Sequence, residues 1–183
     1  MLKAVITGGP CTGKTSVIEN LKELGYYTLP EAAREVIEEQ EKTGSDALPW
    51  KDKLKFQNLV LKKQMERERS IPENAEMVFL DRGIPDGIAY LRIAGIPVPE
   101  EYYSAAEKYR YDFVFLLEEL PFFENDGARR ESPGERKIIQ REIKNVYEEL
   151  GYEVAEVPFM SVKERTDYIL RTVGGICGRA EYL

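Results

Sequence analysis

The sequence has 183 residues, a formal charge of −7 and no histidine. A chain of this length predicts one domain, residues 1–183, that buries about 70% of its unfolded surface. The negative charge argues against nucleic-acid binding, which needs a clustered positive excess, and the missing imidazole excludes Ser-His-Asp, Cys-His and His-ligated zinc sites. Acid–base chemistry must therefore depend on carboxylates.

The first predicted element is a strand, turn and helix around a phosphate-binding loop. Residues 8–15 (GGPCTGKT) fit the P-loop pattern of Gly, four free positions, then Gly-Lys-Ser/Thr. The apolar run 3–6 predicts a buried strand before the loop, and apolar residues at helical spacing predict a helix over 15–24. Glycines and a helix start aim backbone N–H groups at one point, which predicts a bound polyphosphate. The expected nucleotide contacts are Gly8, Gly9, Pro10, Cys11, Thr12, Gly13, Lys14, Thr15 and Ser16.

Two residues of this loop have specific expected roles. Lys14 is a candidate catalytic residue that neutralises the β- and γ-phosphates of ATP or GTP, and the Thr15 hydroxyl is a candidate Mg²⁺ ligand. The alternative is a glycine turn that only caps a helix.

A second strand is predicted over residues 26–29 and a second helix over 32–42. Glu31 stands between them, at the carboxyl end of the strand, where open α/β sheets bind their ligands. We therefore expect Glu31 and Arg34 to face the cleft beside the phosphates. The alternative for Glu31 is an acid that complements the helix dipole.

Turn-forming residues fill positions 43–49, and a long charged helix is predicted over 51–70. Trp50 is expected to anchor the core or a lid, with base stacking as the alternative. The first half of this region is a candidate wall for an acceptor pocket.

The apolar run 77–81 (MVFLD) ends in a carboxylate and predicts a buried Walker B strand, with Asp81 as a Mg²⁺ ligand. Arg82 and Gly83 stand where many ATPases carry a second acid that orients water. Arg82 instead offers a fixed positive charge beside the transferring phosphates, which favours a kinase. Asp86 is expected either near this site or as the cap of a helix over 87–93.

The rest of the chain predicts a loop over 94–99, a helix over 100–110 and a strand over 113–117. Residues 118–136 are rich in Pro, Gly and Asn and carry Arg129, Arg130 and Arg136. They are expected to form a lid that excludes water and places Arg129 and Arg130 on the phosphates, with a solvated loop as the alternative.

The chain ends with a helix over 137–150, a strand over 152–157, a loop over 158–161 that is expected near the nucleotide base, and a helix over 162–173. Strands and helices alternate throughout. This alternation predicts an α/β three-layer fold, in which a five-stranded, mainly parallel sheet is covered on both faces.

Residues 6–15 (ITGGPCTGKT), 30–34 (PEAAR) and 79–83 (FLDRG), with Asp86 and Tyr90, resemble a family of small ATPases described as an AAA domain. That family includes the nucleotide-binding domain of the TRPL translocation defect protein and is similar to ribosylnicotinamide kinase and thymidylate-kinase-like enzymes. The resemblance covers nearly the whole chain. It implies five parallel strands with the Walker B strand beside the P-loop strand, a nucleoside triphosphate with Mg²⁺, and an arginine-bearing lid.

The resemblance also implies residue roles. Glu31 matches the acid that acts as base towards a sugar hydroxyl in deoxynucleoside kinases, and Asp81-Arg82 match the Asp-Arg pair of thymidylate kinases. The Gly-Ile-Pro after Arg82 departs from the aromatic residue of thymidylate kinases, and the Asn-Lys-x-Asp guanine motif of Ras-like GTPases does not occur.

These observations favour a Mg²⁺-dependent P-loop phosphotransferase that passes a γ-phosphoryl group to a small acceptor such as a nucleoside or nucleotide. A nucleotide-dependent switch or NTPase acting through a protein partner is the alternative, and polyphosphate processing is a third. The two cysteines are isolated, and the sequence shows no secretion signal and no membrane-spanning run, which predicts a cytoplasmic protein. We expect a monomer or a homodimer.

Overall fold

The computed structural model describes residues 1–120 and 132–176. Five strands form one sheet: β1 (Leu2–Thr7), β2 (Tyr27–Leu29), β3 (Met77–Asp81), β4 (Phe113–Leu117) and β5 (Val154–Val157). The helices are α1 (Lys14–Glu23), α2 (Ala32–Thr43), α3 (Lys53–Arg69), α4 (Ile84–Ile93), α5 (Glu100–Lys108), α6 (Pro133–Glu149) and α7 (Val162–Ile176).

The sheet is parallel throughout, in the order β2-β3-β1-β4-β5. This confirms the predicted five-stranded α/β fold, with the Walker B strand directly beside the P-loop strand. The β1–β3 register pairs Ile6 with Asp81, so Asp81 lies next to the point where the P-loop begins. The central strands are buried on both faces, as near-continuous apolar runs in parallel sheets are.

Alternate residues of the strands pack into two separate cores. Val5, Leu80 and Val114 belong to a core with α3, α4, α5 and α6, whereas Ile6 and Phe79 belong to a core with α1 and α7. The result is the expected three-layer arrangement, in which α1 packs against α7 on one face and α4 packs against α6 on the other.

Two helices begin earlier than the sequence indicates. Helix α6 begins at Pro133 instead of residue 137, because the Ser132 hydroxyl accepts the Glu135 N–H and Glu135 Oε2 accepts the Ser132 N–H. Residues 133–136 therefore belong to a helix and not to the predicted lid. The part of that lid over 121–131, with Arg129 and Arg130, lies outside the described residues.

Helix α4 likewise begins at Ile84 instead of Gly87. Pro85 is tolerated in a first helical turn, and the Asp86 carboxylate accepts the Gly83 N–H at 3.1 Å. Asp86 thus caps the helix from inside its first turn. Within 1–120 and 132–176, no helix is both long and apolar enough to cross a membrane.

Candidate active site

The P-loop connects β1 to α1 at the carboxyl edge of the sheet. Gly8 has φ 142°, and a side chain there would approach Leu117 O to 2.8 Å, so only glycine fits this position. Cys11 and Gly13 are also in the left-handed region, with φ 63° and 77°. Gly13 is the N-cap residue that immediately precedes α1. The turn therefore delivers the N-terminus of α1 to the edge where ligands bind in parallel sheets.

The Lys14 side chain lies inside this loop. Its ammonium donates to Gly8 O at 3.1 Å, Gly9 O at 2.7 Å and Thr12 Oγ1 at 3.1 Å. Burial and the neighbouring Arg82 lower the pKa of Lys14 to about 7. The expected phosphate-binding lysine is thus held by the oxygen atoms of its own loop.

Two residues from distant elements support the loop. Gln140 of α6 accepts the Gly9 N–H at 2.6 Å and donates to Leu117 O at 3.0 Å. Arg165 of α7 is only 1% exposed and donates to Thr12 O, to Glu118 O at 3.0 Å and to Pro158 O at 3.1 Å. No motif of the sequence marks either residue, because both contact the loop from helices that are far away along the chain.

Asp81 ends β3 with a buried carboxylate, 4% exposed, whose Oδ1 has no hydrogen-bond partner in the described part of the chain. Burial, reinforced by the charge of Glu31, raises the pKa of Asp81 to about 6. A dry, unpaired carboxylate oxygen next to a P-loop fits a divalent cation. Thr15 is exposed in the first turn of α1 and can supply a hydroxyl ligand. Within the described residues, this site included, no cluster of three or more His, Cys, Asp or Glu side chains could hold a metal without further ligands.

Arg82 joins Glu31 to the P-loop. Its Nε donates to Glu31 Oε1 at 2.8 Å, and its Nη1 donates to Asp86 Oδ1 at 2.9 Å and to Gly8 O at 3.1 Å. The guanidinium also lies 5.4 Å from the centre of the Tyr90 ring. The arginine is therefore fixed on four sides at the mouth of the P-loop.

Glu31 is the N-cap residue that immediately precedes α2, but its side chain makes no capping hydrogen bond. Its main contact is an ion pair with Arg82, and not an interaction with the dipole of α2. Burial alone would raise the pKa of Glu31, but the positive charges of Arg82 and Lys14 outweigh burial and lower it. The carboxylate is ionised at neutral pH.

Asp86 connects three elements around this arginine. It is 2% exposed and accepts from Thr7 Oγ1 at 2.6 Å and from Tyr147 OH at 2.7 Å, in addition to Arg82. Thr7 ends β1 and Tyr147 lies on α6. Asp86 is therefore a positioning residue for Arg82 as well as a helix cap. The sequence offered a carboxylate near the site and a helix cap as alternatives, and Asp86 is both; its contact with Arg82 was not foreseen.

A pocket of about 880 Å³ opens from Glu31, Arg82 and Asp86 outward between α2, α3, α4 and α6. Its walls include Phe56 and Tyr90, and Trp50 lies on its lining with 54% exposure. Trp50 is therefore not a core anchor, and a role in a lid or in base stacking stays a prediction. The first half of this region does line the pocket, and its contact with an acceptor stays a prediction.

The remaining predicted residues either do not line the pocket or lie outside the described residues. Phe159, in the loop expected near the base, is 49% exposed, and its ring centre lies 5.8 Å from Cζ of the loop-supporting Arg165. Its base contact stays a prediction. Arg136, in the first turn of α6, pairs with Glu119. Arg34 is an exposed neighbour of Glu31. Arg129 and Arg130 lie outside the described residues.

The parallel sheet order, the P-loop and the terminal Asp81 together define a P-loop kinase-like fold. A family model described as an AAA domain matches residues 3–165, and the chain belongs to this family. Comparison with curated proteins finds no match.

Solved structures share the fold at low identity. NadR protein in complex with NR is similar with a TM-score of 0.75 and 18% identity over 100% of this chain, which spans 52% of the NadR chain. Deoxyadenosine kinase from M. mycoides has a TM-score of 0.62 and 16% identity, with 94% of this chain and 98% of that chain covered. Shikimate kinase from Acinetobacter baumannii in complex with shikimate has a TM-score of 0.60 and 16% identity, with 98% and 96% covered.

Proposed function

We propose that this chain is a cytoplasmic phosphotransferase that passes the γ-phosphoryl group of ATP or GTP to a hydroxyl group of a small acceptor. The observation that carries the proposal is the position of the pocket. It opens directly on Glu31 and Arg82, and Arg82 donates to Gly8 of the P-loop. An acceptor in the pocket and a triphosphate on the loop would therefore meet at these two side chains.

The loop would bind the triphosphate through its backbone N–H groups and the N-terminus of α1. Lys14 would exchange the loop oxygens for the β- and γ-phosphates, which needs only a rotation of its flexible side chain. Thr15 and Asp81 would hold Mg²⁺, which supplies charge neutralisation for the phosphates when bound. The unpaired Asp81 Oδ1 supports this assignment.

Glu31 would act as the catalytic base. Its carboxylate is ionised, faces the pocket and is held by Arg82, so it can accept the proton of an acceptor hydroxyl as the new oxygen–phosphorus bond forms. Arg82 would place positive charge beside the transferring group. Arg129 and Arg130 are proposed to add further charge from the segment between β4 and α6.

Phosphoryl transfer is favoured over hydrolysis for two reasons. The residues after Asp81 are Arg82 and Gly83, so no second acid follows to orient water. The pocket also carries apolar and aromatic side chains beside its charged groups, among them Phe56 and Tyr90, and these offer surface to an organic acceptor.

The test is a phosphate-transfer screen with MgATP and MgGTP over nucleosides, nucleoside monophosphates and sugar-like alcohols, with a no-acceptor control. We expect diphosphate to form mainly when the right acceptor is present. Acceptor-independent hydrolysis at the same rate would contradict the proposal and favour the nucleotide switch.

Glu31→Gln tests the base directly. It should lower kcat by about 10²- to 10⁴-fold, the range typical of a lost general base, while the Kd for ATP changes little. Glu38→Gln is the matched control, because Glu38 is exposed on the same helix and does not line the pocket. Normal turnover by the Glu31 variant would remove Glu31 from this role.

A further inference from the structure

We propose that the acceptor is an uncharged or cationic ring compound with a free hydroxyl group, such as a nucleoside, and not a nucleoside monophosphate. This inference rests on the proposed phosphotransfer and narrows it to one class of acceptor. It is carried by the charges and the hydrogen-bonding groups of the pocket walls.

The described walls of the pocket are acidic. Four carboxylates line it, against two cations, Lys53 and Arg82. The carboxylates are Glu31, Glu41, Asp86 and Glu135.

Two of these carboxylates are ionised at neutral pH on independent grounds. The positive charges of Arg82 and Lys14 keep the pKa of Glu31 low, and hydrogen bonds from Ser132 lower the pKa of Glu135. The potential inside the pocket is therefore negative.

The groups that could bind a phosphate at the inner end are already engaged. Arg82 is held between Glu31 and Asp86. The N-terminus of α4 would otherwise attract an anion, but its Gly83 N–H is accepted by Asp86 and its Ile84 N–H by Tyr111 OH at 3.0 Å. Lys53 begins α3 as an exposed side chain.

A nucleoside monophosphate brings a phosphate with about two negative charges at neutral pH. In this pocket it would face four carboxylates, and of the two cations on the described walls Arg82 is already held by Glu31 and Asp86, whereas Lys53 is an exposed side chain at the start of α3. Partial burial strengthens the repulsion from the carboxylates. A neutral nucleoside avoids this cost. A ring that carries a positive charge gains from the same potential.

The amide of Gln57 adds a second requirement on the acceptor. Gln57 lines the pocket, is 7% exposed and makes no side-chain hydrogen bond with the described part of the chain. Its amide atoms are not among the fully buried atoms that lack a partner, so they reach the open pocket, where a ligand with a polar edge can bond them. Phe56 and Tyr90 line the same pocket, and a flat ring with a polar edge matches such walls.

The decisive experiment compares acceptors in matched pairs on the unmodified protein with MgATP: adenosine, cytidine and a pyridinium riboside, each beside its 5′-monophosphate. We expect kcat/KM for at least one unphosphorylated member to exceed that of its monophosphate by about tenfold or more. A preference for the monophosphates would overturn the inference and leave the phosphotransferase intact. No turnover with any acceptor would count against the proposed function itself.

Glu41→Lys tests the charge argument. Glu41 lines the pocket, and Glu38 on the same helix does not, so Glu38→Lys makes an identical change in net charge outside the pocket. Relative to that control, Glu41→Lys should lower kcat/KM for a cationic acceptor about three- to tenfold and raise it for a monophosphate. Equal effects of the two substitutions would show that the pocket charge does not select the acceptor.

Gln57→Leu tests the amide. We expect the KM for the acceptor to rise about tenfold, because one hydrogen bond to the polar edge of the acceptor contributes roughly a factor of ten in affinity. The kcat and the Kd for ATP should stay nearly unchanged. A merely structural role would change the melting temperature and both kinetic parameters together. An unchanged acceptor KM would remove Gln57 from acceptor binding.

Discussion

Lys14 illustrates how far a single residue can be understood from the sequence. The motif identifies it as the phosphate-binding lysine, but only the structure shows that its ammonium is held by Gly8, Gly9 and Thr12 and lies near Arg82. Burial of the side chain and the positive charge of Arg82 lower the pKa of Lys14 to about 7, far below that of an exposed lysine. Its protonation therefore responds to whatever binds beside it.

We predict that triphosphate binding takes up a proton at Lys14. In the free protein at pH 8 the amine is mostly neutral, because its pKa is about 7, and bound phosphates favour the charged form and raise that pKa. Affinity should therefore fall as pH rises above 7. Calorimetry at pH 8 in two buffers of different ionisation enthalpy measures the uptake as a difference in apparent binding enthalpy.

The control is Lys14→Met, which should bind more weakly and show no proton uptake at this pH. Identical binding enthalpies for the unmodified protein in the two buffers would contradict the prediction.

The other residues of the site could be predicted from the sequence only in part. Glu31, Asp81 and Arg82 follow from motifs at the carboxyl ends of strands, and the structure brings them to one place. Gln140 and Arg165 contact the P-loop across 131 and 153 positions of the chain. Such contacts depend on how α6 and α7 pack, and local spacing carries no information about that.

At the scale of elements, helix beginnings were the least predictable feature. Apolar spacing marks the part of a helix that faces the core, so the polar first turn of α6 looked like a loop. Ser132, Pro133 and Glu135 nevertheless form a capping box with proline in the first turn, a pattern that the sequence already contains. The first turn of α4 is buried, but its residues 85–87 (PDG) are typical of turns and hid the start of the helix.

The start of α4 also depends on a close contact. A side chain at Gly83 would come within 2.6 Å of Tyr147 OH and 2.8 Å of the Tyr111 ring. Neither tyrosine can easily move, since Tyr147 donates to Asp86 and Tyr111 donates to the buried Glu68. The Tyr147 hydroxyl that would exclude a side chain at Gly83 is therefore the same group that holds Asp86 of the site.

Gly83→Ala should therefore lower the free energy of unfolding by about 2–3 kcal/mol through overpacking and reduce turnover, because Asp86 and Arg82 would be displaced. Gly134→Ala is the matched control: Gly134 lies in the first turn of α6, and the nearest atom to an added methyl group, Ser132 Oγ, is 4.0 Å away. Chemical denaturation of both variants measures the difference. Equal stabilities would show that the tyrosines accommodate the methyl group.

At the scale of the whole molecule, the sequence predicted the architecture well. Alternating strands and helices are sufficient for a parallel sheet covered on both faces, since parallel connections need crossovers. The order of the strands in the sheet cannot be predicted in the same way, because alternation alone permits several orders. The neighbouring position of β3 and β1 was expected from the resemblance to P-loop enzymes, and the structure confirms it.

Because the site joins β1, β3, α1, α2, α4 and α6, bound nucleotide should stabilise the fold as a unit. At a concentration about 100 times Kd, MgATP is expected to add about 2.7 kcal/mol, which corresponds to a rise in melting temperature of about 5–10 °C for a chain of this size. Thermal denaturation with MgATP, with ATP plus a chelator and with AMP measures the effect. A melting temperature unchanged by MgATP would contradict nucleotide binding at the P-loop.

The contacts of Lys14 have a practical consequence for how this protein is studied. Its amine group donates to three oxygen atoms of the resting loop, so an arriving triphosphate replaces internal hydrogen-bond partners and does not simply fill open space. Truncating this side chain removes a ligand contact and also removes a donor from the loop, although Gly8 O keeps Arg82 and Gly9 O keeps the Thr12 hydroxyl. A weakened alanine variant would thus combine two losses, and its melting behaviour without ligand has to be known before its affinity is interpreted.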